Sequence, residues 1–218
     1  MKIAFCMSGV PRGEYEGLNF IKNMSEKYES YLFLHNWNPN FFPSQESWSK
    51  KNPSQFSIDQ VPLPSNRIFH KQEEFSEYEP KFKEIYDAIP SQYQWRKDLG
   101  VCSMFYSIKQ ASAMKKEFEN KESQKFDCVF RIRFETPVKF ITIENFDLKL
   151  IHLPAYDSYP ICDQFAFSNS DNMSYYCDCY DNIIELAQKD LYHPERILNQ
   201  HLNSKVINLL HFGNDRSL

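Results

Sequence analysis

Lys2-Ile3-Ala4-Phe5-Cys6-Met7, then Ser8-Gly9-Val10-Pro11-Arg12-Gly13, then Leu18, Ile21, Met24 and Tyr28, then Tyr31-Leu32-Phe33-Leu34-His35: this opening decides the fold. The first run is short, continuously apolar and closed by turn residues, as expected of a buried strand. The next apolar residues recur at three- and four-residue spacing, so a helix follows. A second run of strand length comes after the helix. Strand, loop, helix, strand favours a parallel pair. The expectation is an α/β chain with a mixed, mostly parallel central sheet flanked by helices.

Further along the chain the signals weaken. Residues 36–66 are rich in Asn, Pro, Ser and Gln and lack periodicity. Connections of that length are usually functional, and this one is expected to lie over or beside an acceptor site. Arg67-Ile68-Phe69-His70 reads as a short third strand. Phe82, Ile85, Tyr86 and Ile89 form a helical face that stops at Pro90. Val101, Met104, Phe105, Ile108, Ala111, Met114 and Phe118 form the strongest helical stripe. Lys109, Lys115, Lys116 and Glu117 fall mostly off it, which predicts a core-facing helix with a solvated back.

The second half reads as strands and short helices. Phe126 to Glu135 begins as a buried strand and turns into alternation: Phe130, Ile132 and Phe134 on one face, Arg131, Arg133 and Glu135 on the other. Lys149 to Pro154 is another strand. Phe165 and Phe167 share a face of the next, which Asp163-Gln164 precedes. Tyr180, Ile183, Ile184, Ala187 and Leu191 mark a helix, Pro194 opens a second one, and Val206 to Phe212 is the last strand.

At 218 residues and 26.0 kDa the chain has the size of one domain. A net charge of −4 and a pI near 5.9 exclude the basic surface that nucleic-acid binding needs. There is neither an apolar run of the ~20 residues that a membrane span requires nor a signal-peptide core, so a cytoplasmic protein is expected. Six cysteines in a chain of this size and class read as structural free thiols.

Four places could carry chemistry. Ligands of open α/β sheets bind outside the carboxyl ends of the strands. The Ser8–Gly13 loop sits there and holds two of only five glycines. Its backbone N–H groups, with Ser8, Gly9 and Arg12, suit a phosphate; an ordinary βα turn has the same composition. At the second place, Arg131 and Arg133 would offset diphosphate charge and Glu135 would ligate a divalent cation; a mutual Arg–Glu ion pair is the alternative. At the third, Asp163 beside Gln164 would hold sugar hydroxyls or act as base, or else open a strand. At the fourth, His211, before Gly213 and Arg216, would supply a metal ligand, or belong to a frayed end.

Taken in order, these motifs resemble a bacterial and viral group of GT-A-type glycosyltransferases. The likeness rests on Ser8-Gly9-Val10-Pro11-Arg12, Leu34-His35-Asn36-Trp37, Met104-Phe105-Tyr106-Ser107-Ile108-Lys109, Arg131-Ile132-Arg133-Phe134-Glu135, Asp163-Gln164-Phe165-Ala166 and His193-Pro194-Glu195. It spans most of the chain as a single GT-A-like domain. It implies a donor-binding half over about 1–135 and an acceptor or catalytic half over about 136–218. It implies transfer of a sugar from a nucleotide sugar to a glycan acceptor, with Arg12, Arg133 and His211 near the diphosphate. Glu135 would hold a divalent metal, Mn or Mg, and Asp163 would serve as base or sugar-holding group. Where such enzymes carry Asp-x-Asp, this chain has Arg133-Phe134-Glu135 and a single carboxylate. Two other classes fit parts of the pattern: a nucleotidyltransferase, and an inert nucleotide- or glycan-binding domain.

Overall fold

The computed structural model describes residues 1–38, 53–94, 99–138, 140–155, 161–190 and 192–210. Among them are strands β1 (Lys2–Gly9), β2 (Glu29–Trp37), β3 (Ile68–Glu73), β4 (Cys128–Ile132), β5 (Ile151–Pro154), β6 (Phe165–Ser168) and β7 (Ile207–Leu210). The helices are α1 (Glu16–Ser25), α2 (Phe75–Asp87), α3 (Gly100–Glu122), α4 (Ser170–Cys177), α5 (Ile183–Ala187) and α6 (Pro194–Leu202). The strands form one sheet in the order β3-β2-β1-β4-β6-β5-β7. β6 runs against both of its neighbours, and every other pairing is parallel. The expected mostly parallel α/β sheet is therefore present, in an arrangement consistent with a GT-A-like fold.

Strand alternation divides the core into two layers. Ile3, Phe5 and Met7 of β1 face α1, where they meet Leu18, Phe20, Ile21 and Met24. Phe5 lies edge-on to Phe20 at 5.9 Å and stacks on Phe130 at 5.3 Å. The opposite face presents small side chains, Ala4 and Cys6 of β1 and Ala166 of β6. Small residues let a helix approach the sheet closely, and α3 packs there against β1 and β2. All six cysteines are buried and none forms a disulfide.

The second layer makes α3 an interior helix, because α2, α4 and the 3-10 turn Asp178–Asn182 cover its outer side. The expected solvated back is accordingly corrected at Lys115, which is fully buried. Its ammonium lies 3.0 Å from Glu119 and bonds the Ser174 hydroxyl at 2.9 Å. Lys116 pairs with Asp178, and Lys109 with Asp181, on the outer rim.

The fourth strand is shorter than its alternation suggests. It ends at Ile132, and Arg133 to Glu135 form a turn. The last rungs pair Ile132 with Met7 on one side and with Phe165 on the other. Of the long 36–66 connection, Asn36 and Trp37 belong to β2, and 53–67 contains two 3-10 turns, Ile58–Gln60 and Ser65–Arg67. Residues 39–52 of the connection expected to lie over or beside an acceptor site are outside the described residues. So are Leu191 and His211.

Candidate functional site

The carboxyl ends of β1 and β4 lie side by side in the middle of the sheet, and Arg12, Arg133, Glu135 and Asp163 gather there. Arg133, one residue past β4, holds Glu135 at 2.6 Å and reaches Asp163 at 3.8 Å. Asp163 comes from the segment that enters β6, the strand antiparallel to β4. Its position beside Arg133 is thus a direct consequence of that one reversed pairing. Both carboxylates are nearly sealed from solvent, while about a quarter of the Arg133 side chain, 26 %, stays exposed.

The turn is fixed from below by Gly17. The Gly17 N–H donates to the Phe134 carbonyl at 2.9 Å. A Cβ on Gly17 would stand 2.3 Å from the Arg133 carbonyl oxygen. Only glycine lets α1 approach the turn this closely. Sequence reading noted how scarce glycine is and overlooked this one.

Arg12 lies beside the same turn. It is buried by a β-bridge to Pro53, supported by the Ser54 N–H bond to the Pro11 carbonyl at 3.0 Å. Tyr15 OH donates to the Gln55 carbonyl at 2.6 Å. The rings of Tyr15, Phe56 and Phe134 pack on one another with centroids 5.1 to 5.7 Å apart. Burial lowers the Arg12 pKa; the Glu135 carboxylate opposes that, and the positive charge of Arg133 adds to it. The 53–56 segment therefore clamps the Arg12 loop onto the Arg133–Glu135 turn.

Arg131 differs from its neighbours. It is fully buried on the α3–α4 face. It donates to its neighbour's carbonyl, that of Ile132, while its Nε and Nη2 have no hydrogen-bond partner among the described residues. Tyr176, whose OH donates to the Asp163 carbonyl at 3.4 Å, the Arg133 guanidinium and the Asp163 carboxylate are its main electrostatic neighbours. Arg131 thus stands behind the site rather than at its mouth. Ser8 is buried, and its Oγ also lacks a partner among the described residues. The Gly9 N–H, expected to face a phosphate, instead donates to Ser107 Oγ at 3.1 Å.

Burial raises the Asp163 pKa against the pull of Arg133, and the negative charge of Glu195 raises it further. Glu195 sits in the first turn of α6, 2.7 Å from His193 Nδ1. The His193-Pro194-Glu195 motif had no assigned role. It lies close enough to Asp163 for the Glu195 charge to act on it.

Glu135 is engaged by a guanidinium rather than open to a cation. One Glu135 oxygen is already held by the Arg133 guanidinium, and Arg12 adds a second positive charge nearby. No three His, Cys, Asp or Glu side chains converge among the described residues. His211, the other expected ligand, lies outside the described residues. The donor set instead suits an anion bound by guanidinium groups. Two shallow concavities lie elsewhere. One, of about 610 Å³, is lined by α2 and the 180–188 segment, and the other, of about 320 Å³, by α4, α5 and α6. No helix among the described residues is long and apolar enough to cross a membrane. Compared with known proteins, the chain matches no protein-family model, and no curated protein is similar to it in sequence.

Proposed function

We propose that this chain is a cytoplasmic glycosyltransferase that moves a sugar from a nucleoside diphosphate sugar to a hydroxyl of a glycan or related acceptor. The observation that carries the reading is the Arg133 guanidinium, which holds Glu135 and Asp163 together at the carboxyl ends of β1 and β4. In transfer, the bond from the anomeric carbon to the diphosphate oxygen breaks and a bond to the acceptor oxygen forms. The acceptor proton goes to a base, and negative charge builds on the leaving diphosphate. Arg12 and Arg133 are the cations placed to stabilise that charge. Asp163 is the base or sugar-holding group: a buried carboxylate with a raised pKa keeps a proton more readily than an exposed one.

A second reading has one observation in its favour. Arg133 is engaged with Glu135 and Asp163, and His193 with Glu195, the pattern of a structural ion network. That supports an inert nucleotide- or glycan-binding domain. Release of nucleoside diphosphate from UDP-, GDP- and dTDP-sugars, with Mn²⁺ and with chelator, separates the readings. Turnover that persists in chelator and vanishes in Asp163→Asn, with the melting temperature held within a few degrees, supports the transferase. Turnover that needs Mn²⁺ would mean that a metal and not the arginines carries the diphosphate. No turnover of any donor favours the inert domain.

A further inference from the structure

Gly9 at the end of β1, His35 in β2 and Ser107 in α3 are far apart in sequence and meet at one point. Ser107 Oγ accepts the Gly9 N–H at 3.1 Å and lies 2.7 Å from His35 Nδ1. On the other edge of the ring, His35 Nε2 is 2.7 Å from Glu73 Oε2, in the last residue of β3. Glu73 also accepts from Tyr78 OH at 2.7 Å and Tyr106 OH at 3.1 Å, and pairs with Lys71 at 2.6 Å. His35 and Ser107 are fully buried. The contacts thus run unbroken from a half-exposed lysine at one sheet edge to the Gly9 amide of the Ser8–Gly13 loop.

The chemistry of the groups fixes where the protons lie. The Glu73 carboxylate, held ionised by Lys71, Tyr78 and His35 despite burial, can only accept, so His35 Nε2 carries the hydrogen. Burial keeps the ring neutral, so His35 Nδ1 is bare and receives the Ser107 hydroxyl hydrogen in preference to the His35 carbonyl, which lies farther away at 3.2 Å; the Ser107 lone pairs are left for the Gly9 N–H. That arrangement fills the shorter of the two contacts open to the Ser107 hydrogen. Serine, histidine and carboxylate at such spacing also describe an activated nucleophile. Here the serine oxygen is sealed from solvent and occupied by a backbone amide, so no substrate can reach it. What the serine does hold is the point where the chain leaves β1. Gly9 takes φ +118°, a conformation that glycine adopts readily and other residues do not.

We propose that Ser107, His35 and Glu73 form a positioning relay for the Ser8–Gly13 loop. The relay holds the loop in the conformation that sets Arg12 beside Arg133 and Glu135, and it thereby governs affinity for the nucleoside diphosphate of the donor. The first half of this stands on the contacts alone; the second rests on the proposed function. The Gly9 amide is committed to the relay, so contacts to the diphosphate come from Arg12 and from amides beyond Gly9.

Two measurements test it separately. In the first, amide exchange and ring ¹⁵N shifts are followed by NMR at neutral pH. Wild type should show a bare Nδ1 and a protonated Nε2 on His35. Ser107→Ala should speed exchange at Gly9 by on the order of tenfold, the loss of one hydrogen bond, with the amides of Ile3 to Met7 unchanged. Ser107→Thr, which keeps the hydroxyl, should restore protection. If Ser107→Ala does not fold, Glu73→Gln, which uncouples His35 from the outer side, serves in its place and should also loosen Gly9. Unchanged Gly9 exchange, or a protonated Nδ1, overturns the relay. In the second, calorimetry with UDP, GDP, CMP and dTDP compares the same proteins. For a nucleotide that wild type binds, Ser107→Ala should weaken affinity on the order of tenfold and Ser107→Thr should recover it. Equal affinity in Ser107→Ala overturns the link to the ligand. If no form binds any nucleotide, the transferase reading fails, and the exchange result still decides the relay.

Discussion

Two buried ion pairs in this molecule look alike on paper and differ in what they leave unspent. Lys115 and Glu119 lie in the core, 3.0 Å apart. Lys115 also bonds Ser170 and Ser174, and Glu119 accepts from the Phe126 N–H at 2.9 Å and the Ser170 hydroxyl at 2.6 Å. Every strong donor and acceptor there is used inside the fold, so the pair ties α3 to α4 and to the start of β4. Arg133, Glu135 and Asp163 sit instead at the open ends of the strands. The guanidinium keeps an exposed edge, and two polar groups behind it, Arg131 and Ser8, still have unmatched hydrogen-bonding capacity among the described residues. Burial of a charge therefore does not mark a site. Position at the strand ends together with unused polar capacity does.

The sharpest way to break this contrast is to remove one partner from each pair. Lys115→Met leaves the Glu119 carboxylate buried without its cation and should cost about 3–5 kcal/mol of stability, read by urea unfolding. Lys115→Met with Glu119→Leu should recover most of that loss, and neither variant should alter donor turnover beyond the loss of folded protein. Arg133→Ala should do the reverse. Donor turnover should lose about 2–4 kcal/mol of transition-state stabilisation, while the unfolding free energy falls less than in Lys115→Met. Equal destabilisation by the two substitutions, with turnover spared, would make both pairs structural.

Two smaller effects sharpen the same comparison. Gly17→Ala forces a methyl against the Arg133 carbonyl and should cost about 1–3 kcal/mol. Because the clash is at the turn that presents Arg133, nucleotide affinity should drop along with stability. The other effect is on pH dependence. Burial lowers the His35 pKa from 6.5 to about 4. The unfolded chain then binds the proton more readily than the folded one, so stability is complete above pH 6.5 and declines as pH falls toward 4. Between pH 6.5 and 5.5 His35 alone should contribute a loss of about 1 kcal/mol; burial lowers the pKa of His70, His152 and His201 as well, which adds loss of the same sign, so His35→Gln should reduce the slope rather than abolish it. Glu73, held at about 2, adds a further loss only below its ordinary value near 4.5. A wild-type curve with no slope between pH 6.5 and 5.5 would contradict a neutral buried His35.

What the sequence made legible was local. The β1-α1-β2 opening was readable because its periods of two and 3.6 are set by neighbours along the chain. The end of β4 was not: the alternation runs on through Arg133 and Glu135, but β1 and β6 supply no rungs beyond Ile132, so the chain turns. Helix α4 went unread because Ser170-Asp171-Asn172-Met173-Ser174-Tyr175-Tyr176-Cys177 has no clear apolar stripe; the buried side of α3 holds it in place. Lys115 looked solvated because its partners Ser170 and Ser174 are more than fifty residues away. The candidate site was legible to the extent that strand ends gather charged residues, which brought Arg12, Arg133, Glu135 and Asp163 into view. Gly17 and the Ser107–His35–Glu73 relay depend on contacts that no spacing in the chain encodes.

The central claim is that guanidinium groups at the ends of β1 and β4 hold a nucleoside diphosphate without a metal. Calorimetric titration of wild type and Arg133→Ala with UDP, GDP, CMP and dTDP, each in chelator and in Mn²⁺, tests it directly. At least one nucleoside diphosphate should bind wild type in chelator, with an affinity that Mn²⁺ leaves within about twofold and that Arg133→Ala lowers by at least tenfold, a loss of about 1.4 kcal/mol. No binding of any of the four at millimolar concentration, or binding that Arg133→Ala leaves intact, would contradict it.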